Sequence, residues 1–456
     1  IKAMNYGGGD ISITADGKVT ATDGDGIYAY NAGTDGRVIV TTGAGSEITG
    51  SNDGIDARDF GGGDTEIIAN GKVTGTLGDG IVAHNTPDGG NLTITTSAGS
   101  EISGGDRGIE ANNFGLGSDL SITVDGKVTG KDGVFAVNSQ FSRNLTITVG
   151  ADSEIEGTSR GIRAENNGTG DLLITAAGRV TGQSSTALRA VNSGNSNNIT
   201  IVTAVGSEIV AMMDEDYNGG NGISASNYGR GNLDITVNGD VTSERYHGIY
   251  AFNYYGSGDL KITVGAESTV RADYNGIDAT NFGTGSLDIA VDGTVVSEAG
   301  LAGVVAFNWG TAGGDLTVAT GAGSVISANH RGIMAKDYGA GSVNIFVNGE
   351  VTGRDSGSGV YTENFRGGET NIVIGTSGLV QGAYAGIEAS SGSGQAISIT
   401  DFGTVRNISG AAGDLAIETI DGRTMLANNG RVIGRVVFGT YDDVFSNNGS
   451  WTVGSG

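Results

Sequence analysis

The run GRDSGSG at residues 353–359 is the stretch whose residue types come nearest to covalent chemistry. It is close to the sequence around the nucleophilic serine of many serine proteases, with Ser356 in the place of the nucleophile. Such a serine needs a histidine base and an aspartate that orients the base. The chain has three histidines, His84, His247 and His330, and we expect all of them at turns well separated from Ser356. We therefore predict an ordinary turn here and no nucleophilic catalysis.

Carboxylates are the second kind of residue that could do chemistry. Enzymes that cleave polysaccharides use pairs of acidic side chains at a fixed separation, or a carboxylate-bound cation beside a basic residue. Here Asp56, Glu110, Asp278 and Glu388 occupy one position of an internal repeat, but two or more repeats separate each from the next. If the repeats stack as strands do, neighbouring acids are ~10 Å or more apart, which is too far for a retaining pair. This favours a solvated acidic face, and a polysaccharide-acting enzyme stays as an alternative.

An acidic insertion at residues 209–222, IVAMMDEDYNGGNG, contains part of a calcium-binding pattern. Asp214, Asp216 and Asn218 are followed by a glycine, as in the first half of an EF-hand loop. The twelfth position is Ala225, where an EF-hand has glutamate, so a complete EF-hand is excluded. A calcium site built from the three residues is a candidate beside the plainer interpretation as a protruding acidic loop. No other cofactor is indicated.

Aromatic residues recur at fixed places and could form a binding surface. One set follows the asparagine or aspartate that closes each repeat: Phe60, Phe114, Tyr228, Tyr254, Phe282, Trp309, Tyr338 and Phe365. The candidate binding residues, from this set and from a second set within the repeats, are Tyr28, Tyr30, Phe135, Tyr250, Phe252, Phe307, Trp309 and Tyr361. Exposed, stacked rings would form stripes suited to sugars, lipids or a protein partner. The alternative is that the rings cover corners of the fold and stiffen its stacking.

Composition excludes several classes of function. The 456 residues include 85 glycines, one proline and no cysteine, and 51 acidic residues face 25 basic ones, a net charge of -26. Nucleic-acid-binding proteins carry the opposite balance, and an acidic surface repels anionic lipid headgroups. We therefore expect no nucleic acid as a partner and no unaided membrane binding. Without cysteine there is neither a disulfide nor thiolate chemistry.

An internal repeat organises the whole chain. The pattern [G/A]-[I/V/L]-x-A-x-[N/D] returns about every 27 residues, fifteen times if incomplete copies are counted. Apolar and polar letters alternate within each copy, as in NLTITV at 144–149, and this is the period of a β-strand. Each copy therefore predicts three short strands, of the LTITV, the SEI or KVT, and the GIxAxN type. Glycine, asparagine and aspartate between them are typical of turns.

Strands this short can bury their apolar sides by coiling, so that each copy becomes one turn of a solenoid and equal positions stack. We predict an all-β parallel β-helix with three strands per turn and about sixteen turns. The recurring letters should point inward, and asparagines such as Asn113 and Asn138 should form a structural ladder from turn to turn. Residues 1–427 would form the repeats, with a loop at 210–221 inserted, and residues 428–456 the last turns.

The glycine-rich repeats and the C-terminal run NNGRVIGRVVFGTYDDVFSNNGSWTVGSG, at 428–456, resemble the passenger domain of autotransporters, which are secreted proteins of Gram-negative bacteria. The resemblance implies a right-handed helix that is exported across the outer membrane and is displayed on the cell surface or released. It also implies a folding-assisting segment and a membrane barrel beyond residue 456, and only that barrel would contact a membrane. The missing cysteines fit this, because a disulfide formed in the periplasm would obstruct threading through a narrow pore.

These observations together predict a non-enzymatic, monomeric passenger that binds host cells or matrix through its side faces. The expected partner is a protein or a glycan of the host cell surface. Two alternatives stay open: a released soluble effector that acts as a ligand for a host receptor, and the polysaccharide-acting enzyme.

Overall fold

Stacked parallel strands build the whole fold. A computed structural model describes residues 1–310, 314–392 and 394–454. Within these ranges every regular element is a β-strand, and the strands form about sixteen coils spaced about 27 residues apart. No helix in the described ranges has the length and apolar character needed to cross a membrane. The predicted parallel β-solenoid is confirmed.

The chain divides into two compact units, Ile1–Gly231 and Asn232–Gly456, each of which contains three strand columns of the same three types. In the first unit the LTITV-type column consists of Ile11–Ala15, Val38–Thr42, Thr65–Ala69, Leu92–Thr96, Leu120–Val124, Leu145–Val149, Leu172–Ala176 and Ile199–Thr203. The SEI/KVT-type column consists of Lys18–Ala21, Glu47–Gly50, Lys72–Gly75, Glu101–Gly104, Arg179–Gly182 and Glu208–Ala211. The GIxAxN-type column consists of Lys2–Asn5, Ile27–Asn31, Ile55–Asp59, Ile81–Asn85, Arg107–Asn113, Leu188–Asn192 and Ile223–Asn227. Two long strands, Lys127–Asn138 and Glu154–Asn166, belong to both of the last two columns.

The second unit repeats this arrangement. Its LTITV-type column consists of Leu233–Val237, Leu260–Val264, Leu287–Val291, Leu316–Thr320, Val343–Val347, Thr370–Ile374, Ala396–Asp401, Arg423–Asn428 and Val444–Asn447. Its SEI/KVT-type column consists of Asp240–Ser243, Thr269–Ala272, Thr294–Ser297, Val325–Ala328, Glu350–Gly353, Leu379–Gly382, Thr404–Asn407, Arg431–Ile433 and Ser450–Thr452. Its GIxAxN-type column consists of Ile249–Asn253, Ile277–Asn281, Ala302–Asn308, Arg331–Asp337, Val360–Asn364, Ile387–Ser391, Leu415–Ile420 and Arg435–Val437.

Equal positions of neighbouring coils lie opposite each other, as the repeat predicts. Ala83, for example, pairs in parallel register with Ala57 on one side and with Ala111 on the other. Strand alternation then sends every second side chain inward: Leu145 and Ile147 are fully buried, whereas Thr146 between them lies partly exposed on the outer side. The recurring apolar letters are therefore the core of the solenoid.

The glycine before the GIxAxN strand marks the closest approach of one coil to the next. A Cβ atom on Gly80 would lie 2.6 Å from the carbonyl oxygen of Gly108 and 2.7 Å from Cγ2 of Ile102. Both atoms belong to the adjacent coil, so a larger residue would push the coils apart. This contact explains why the repeat begins with a small residue.

The predicted asparagine ladder is present. Asn113 donates from Nδ2 to Oδ1 of Asn138 at 3.0 Å, and Asn138 donates in turn to Oδ1 of Asn166 at 3.3 Å. All three side chains are fully buried, so the bonds between coils satisfy polar groups that water cannot reach. Asp337 occupies a ladder position in the second unit, and burial raises its pKa to about 7.

Two local features differ from the prediction. Only two residues separate Gly130 from Gly133, so no turn fits between the second and third strands, and Lys127–Asn138 runs on as one strand. In the inserted segment, the strand Glu208–Ala211 continues past the predicted start of the loop, which therefore occupies 212–222.

Replacing Asn138 by alanine should lower the free energy of unfolding by about 1–3 kcal/mol, because the amide of Asn113 and the carbonyl of Asn144 lose a buried partner. The measurement is the midpoint of urea unfolding followed by circular dichroism. The control is Asn195→Ala at an exposed turn, which should leave the midpoint unchanged. Equal midpoints for both variants would contradict the claim that the hydrogen bonds of the asparagine ladder stabilise the fold.

Candidate functional site

Aromatic rings form a continuous stack in the second unit. We call Phe282, Trp309, Tyr338 and Phe365 the aromatic ladder; each directly follows the last residue of a GIxAxN strand. Successive ring centroids are 5.7, 3.7 and 4.4 Å apart, with interplanar angles of 14°, 8° and 8°. Because the rings are nearly parallel, their faces cover each other and their edges face the solvent. The ladder therefore both stiffens this corner and presents an aromatic strip outward.

Other predicted aromatic residues border the ladder or lie apart from it. Phe252 contacts Phe282 at 5.5 Å between ring centroids, and Phe282 joins it to Trp309. Tyr250 packs instead against the imidazole of His247, at 5.6 Å. The structure thus brings Phe252 and Trp309 into one aromatic surface and leaves Tyr250 beside it.

Phe307 and Tyr361 serve mainly as packing. Both rings lie against a small buried cluster of Ala302, Val305 and Met334 on the outer side of the GIxAxN column. These contacts support the alternative interpretation for the two residues, in which their rings cover a corner of the fold.

In the first unit the aromatic contacts include a histidine. Tyr28 stacks on Tyr30 at 6.1 Å, and Tyr30 contacts Phe60 at 5.2 Å. His84 then lies between Phe60 and Phe114, at 6.3 and 5.0 Å.

Phe135, also in the first unit, lies between two cations. The guanidinium carbons of Arg107 and Arg163 are each 4.7 Å from the centroid of its ring. A ring held between two guanidinium groups presents little free face to a ligand, so its contacts are internal.

The interpretation of the acidic column as a solvated face is wrong for Asp56 and Asp278. Asp56 is only 2% exposed, and Arg58 donates to both of its carboxylate oxygens, at 2.8 and 3.0 Å. Asp278 is covered by His247, 3.5 Å away, and by the amide of Asn275, 2.9 Å away. Burial raises the pKa of both aspartates.

Two acids from different columns meet in a pair that the sequence argument missed. Asp79 lies at the corner before one GIxAxN strand, and Glu110 lies within the strand of the next coil. Asp79 accepts the backbone N–H of Arg107 at 2.8 Å, and its carboxyl group lies close enough to that of Glu110 for a hydrogen bond between them to shift both pKa values. Strand spacing keeps acids at equal repeat positions apart, whereas this pair joins unequal positions of adjacent coils. The signal for it in the sequence is an acid before one GIxAxN strand and an acid within the strand of the next coil.

One proton is shared in this pair. Burial, and then the hydrogen bond with Glu110, raise the pKa of Asp79 to about 8. Burial opposes ionisation of Glu110 as well, but hydrogen bonds from Asp79 and Asn112 and the charge of Arg107 lower its pKa below the usual value. At neutral pH Asp79 therefore carries the proton and Glu110 the negative charge, as in other carboxyl pairs in close contact.

The pair borders a cleft of about 380 Å³ in the first unit. Further charged or polar residues line it: Asp53, Arg58, His84, Arg107 and Asn112. Burial lowers the pKa of His84, so its imidazole is neutral at pH 7. The cleft thus holds a proton donor, a carboxylate acceptor and fixed cations, which is a set of groups that can transfer protons to or from a bound molecule.

Three carboxylates beside the cleft could hold a cation. Oxygens of Asp25, Asp53 and Asp56 lie within 4.8 Å of one another. The protein already supplies donors to them, since Asp25 accepts the backbone N–H of Asp53 at 3.2 Å and Asp53 accepts that of Asp79 at 2.8 Å. Burial also raises the pKa of Asp53. Three ionised carboxylates at this distance are therefore unfavourable unless a cation balances their charge.

The predicted calcium residues lie in the exposed loop at 212–222. Asp214 Oδ1 accepts the backbone N–H groups of Asp216 and Asn218, at 3.0 and 2.8 Å, and Asp214 Oδ2 accepts the Asn218 amide at 3.1 Å. The hydrogen bond from the Asn218 backbone is the main reason why the pKa of Asp214 is lowered. Asp214 thus orders its own loop, and calcium binding by the three residues stays a prediction.

The expected separation of Ser356 from every histidine is wrong. Ser356 Oγ lies 3.5 Å from Nδ1 of His330, because the two residues are 26 positions apart and so stack on adjacent coils. Both side chains lie at an exposed turn. The distance is at the outer limit of a hydrogen bond and longer than that of an activated nucleophile.

Comparison with protein-family models, with curated proteins and with solved structures finds no match for this chain. Its function therefore has to be inferred from the geometry and charge of these sites.

Replacing Asp79 by asparagine should flatten the pH dependence of the melting temperature between pH 5 and pH 8. The pKa of Asp79 is about 8 in the folded protein against an ordinary value of 3.8 for an aspartate. Between these values the folded state holds a proton that the unfolded state lacks, so wild-type stability falls as pH rises. Asp79→Asn keeps an N–H donor toward Glu110 and does not titrate. Melting temperatures measured at unit steps of pH test this.

Asp106→Asn is the matched control, because its half-exposed carboxylate lies in the same cleft. Asp337 and Asp401, with pKa values of about 7 and about 6, titrate in this window in every variant, so only the difference from wild type reports on Asp79. A slope in Asp79→Asn equal to that of wild type would rule out the shared proton.

Proposed function

We propose that this protein is a non-enzymatic binding solenoid, a passenger that is secreted or displayed on a bacterial surface and contacts host cells or matrix through its side faces. The observation that carries the proposal is the aromatic ladder. Trp309 and Phe365 are 38% and 46% exposed although each stacks on a neighbouring ring. Exposed aromatic rings in a row are typical of surfaces that bind sugars or proteins.

Further exposed rings extend this surface beside the ladder. Tyr255 packs against Phe282 at 5.1 Å and against Tyr254 at 5.1 Å, and both tyrosines are exposed. Phenolic hydroxyl groups add hydrogen-bonding capacity to an apolar ring, which suits a partner with hydroxyl or amide groups. A protein or a glycan of the host cell surface has this chemistry.

The proposed export rests on the resemblance of the repeats and of residues 428–456 to autotransporter passengers. Strands as far as Ser450–Thr452 continue the columns of the second unit, so residues 428–456 include further strands of the solenoid type. The same surface would serve a released effector that acts as a receptor ligand. Tight binding to one purified receptor would favour that alternative over general adhesion.

A second candidate function is acid–base catalysis on a polysaccharide, favoured by the cleft around Asp79 and Glu110. Asp79 would donate a proton and Glu110 would accept one. Carboxyl groups in direct hydrogen-bond contact are closer than either glycosidase geometry requires, so a double displacement between them does not fit. The geometry therefore favours binding over this alternative.

Removing the rings beside the ladder should weaken cell binding about tenfold or more. Tyr254→Ser with Tyr255→Ser deletes two exposed aromatic contacts, and about 1.4 kcal/mol of lost contact energy suffices for a tenfold loss. The measurement is binding of the labelled protein to host epithelial cells by flow cytometry. The control is Tyr217→Ser with Tyr246→Ser, two exposed tyrosines at other turns. Wild-type protein that does not bind cells, or equal binding by both double variants, would refute the proposal.

The catalytic candidate predicts that wild-type protein releases new reducing ends from a panel of plant, bacterial and host polysaccharides, and that Glu110→Gln abolishes the release. We expect no release from any member of the panel, because the carboxyl pair lacks the separation that glycoside hydrolysis needs. A reducing-sugar assay with wild type and Glu110→Gln decides between the two functions. Release that depends on Glu110 would make the protein an enzyme.

A further inference from the structure

The aromatic ladder ends at Phe365 with one ring face uncovered by a further rung. Tyr338 stacks on one side of Phe365, at 4.4 Å. The next coil places Gly392 at the equivalent position: its N–H bonds to the carbonyl of Asn364, just as the N–H of Phe365 bonds to that of Asp337. Glycine has no side chain to continue the stack. Among the described residues no ring stacks on the other side of Phe365, which leaves a space beside it there.

That space is a cleft of about 280 Å³ within the second unit. Phe365 lines one part of it and Tyr441, which is 41% exposed, lines another. The two rings are not in contact with each other among the ring pairs of the described residues. Pockets for drug-sized ligands begin at about 300 Å³, so this cleft suits a single ring of a larger ligand.

Polar groups surround the aromatic faces. Glu363, Ser390 and Asp421 line the cleft; the Glu363 carboxylate also accepts a hydrogen bond from the Tyr361 hydroxyl. Asn364 and Ser391 also border the cleft, but their side chains lie on the inward side of their strands, so the polar groups open to a ligand are those of Glu363, Ser390 and Asp421.

The charge of the cleft selects among ligands. Lys336 pairs with Glu363 at 2.7 Å, but no cation lies among the residues that line the cleft. Because Lys336 already neutralises Glu363, an acidic sugar, a phosphate or a sulfate would meet the carboxylate of Asp421, for which the described residues give no ion pair. Hydroxyl, amide and amine groups can donate to those carboxylates, while the apolar face of a sugar ring can stack on Phe365.

We propose that this cleft, between Phe365 and Tyr441, binds a neutral or amino sugar unit of a glycan. The ring of the sugar stacks on the open face of Phe365, and its hydroxyl or amide groups donate to Glu363 and Asp421. The inference rests on the proposed binding function and names its partner class. Phe365 is thus the terminal ring of the aromatic ladder, and Tyr338 supports it from one side only.

Saturation-transfer NMR with chitotriose, cellotriose and trigalacturonate tests the proposal. We expect transfer to the ring protons of chitotriose or cellotriose and none to trigalacturonate. Phe365→Ala should reduce the transfer at least tenfold. Because that change also removes a ladder ring, Tyr441→Ala is the second variant; it leaves the ladder intact and should likewise weaken the transfer. Phe60→Ala, at the same repeat position in the first unit, is the control and should change nothing.

Absence of transfer to both neutral sugars would overturn the assignment, as would equal transfer to trigalacturonate. So would neutral-sugar binding that survives both Phe365→Ala and Tyr441→Ala, since the sugar would then lie elsewhere. The cell-binding assay separates this inference from the proposed function. Protein that binds cells but none of the sugars keeps the function and loses the sugar site, whereas protein that binds sugars at Phe365 but no cells keeps the site and loses the adhesive function.

Discussion

Parallel pairing in exact register between one coil and the next is the constraint on which the structure depends. Within each unit most inward side chains lie between their equivalents on the two neighbouring coils, as Ala83 lies between Ala57 and Ala111. A position can therefore hold only a residue that fits its neighbours on both sides. Gly80 shows the limit, since even one added carbon would meet the backbone of Gly108 at 2.6 Å. The recurring glycine and asparagine of the repeat follow from this contact and from the buried amide hydrogen bonds of the asparagine ladder.

The same register shapes the outer surface, because it repeats whatever points outward at the spacing of the strands. Rings placed after successive strands must stack, and Trp309 and Tyr338 do so at 3.7 Å. Stacking hides ring faces and leaves edges in water, so a free face arises only where the series is interrupted. Gly392 is such an interruption. It ends the stack of rings that stiffens this corner and leaves a candidate binding site at Phe365. A binding surface on a solenoid is thus defined by where the repeat fails as much as by where it holds.

Charge is distributed under a different rule. Acids at equal positions in alternate coils are held apart, but corners bring unequal positions together, as with Asp79 and Glu110. The net charge of -26 does not indicate such pairs, because the pKa shifts of these acids come largely from burial. Buried Asp56 and Asp79 are accommodated by arginines and by backbone N–H groups of adjacent coils. These acids help to hold the corners as well as to line the cleft.

The sequence by itself determined the strand columns, the inward positions and the asparagine ladder, because a period of two within strands and a repeat of about 27 residues are local and regular signals. Only the tertiary structure decided which side chains meet at corners. The loops there vary in length, so Glu110 reaches Asp79, Ser356 reaches His330, and Asp56 is buried beneath Arg58. It also decided that Phe365 ends the ladder with a free face, since that depends on where the next coil places Gly392 and Tyr441. The pattern of a single repeat does not show which side chains reach each other across a corner, because the course of each corner loop is set by its contacts with the neighbouring coils.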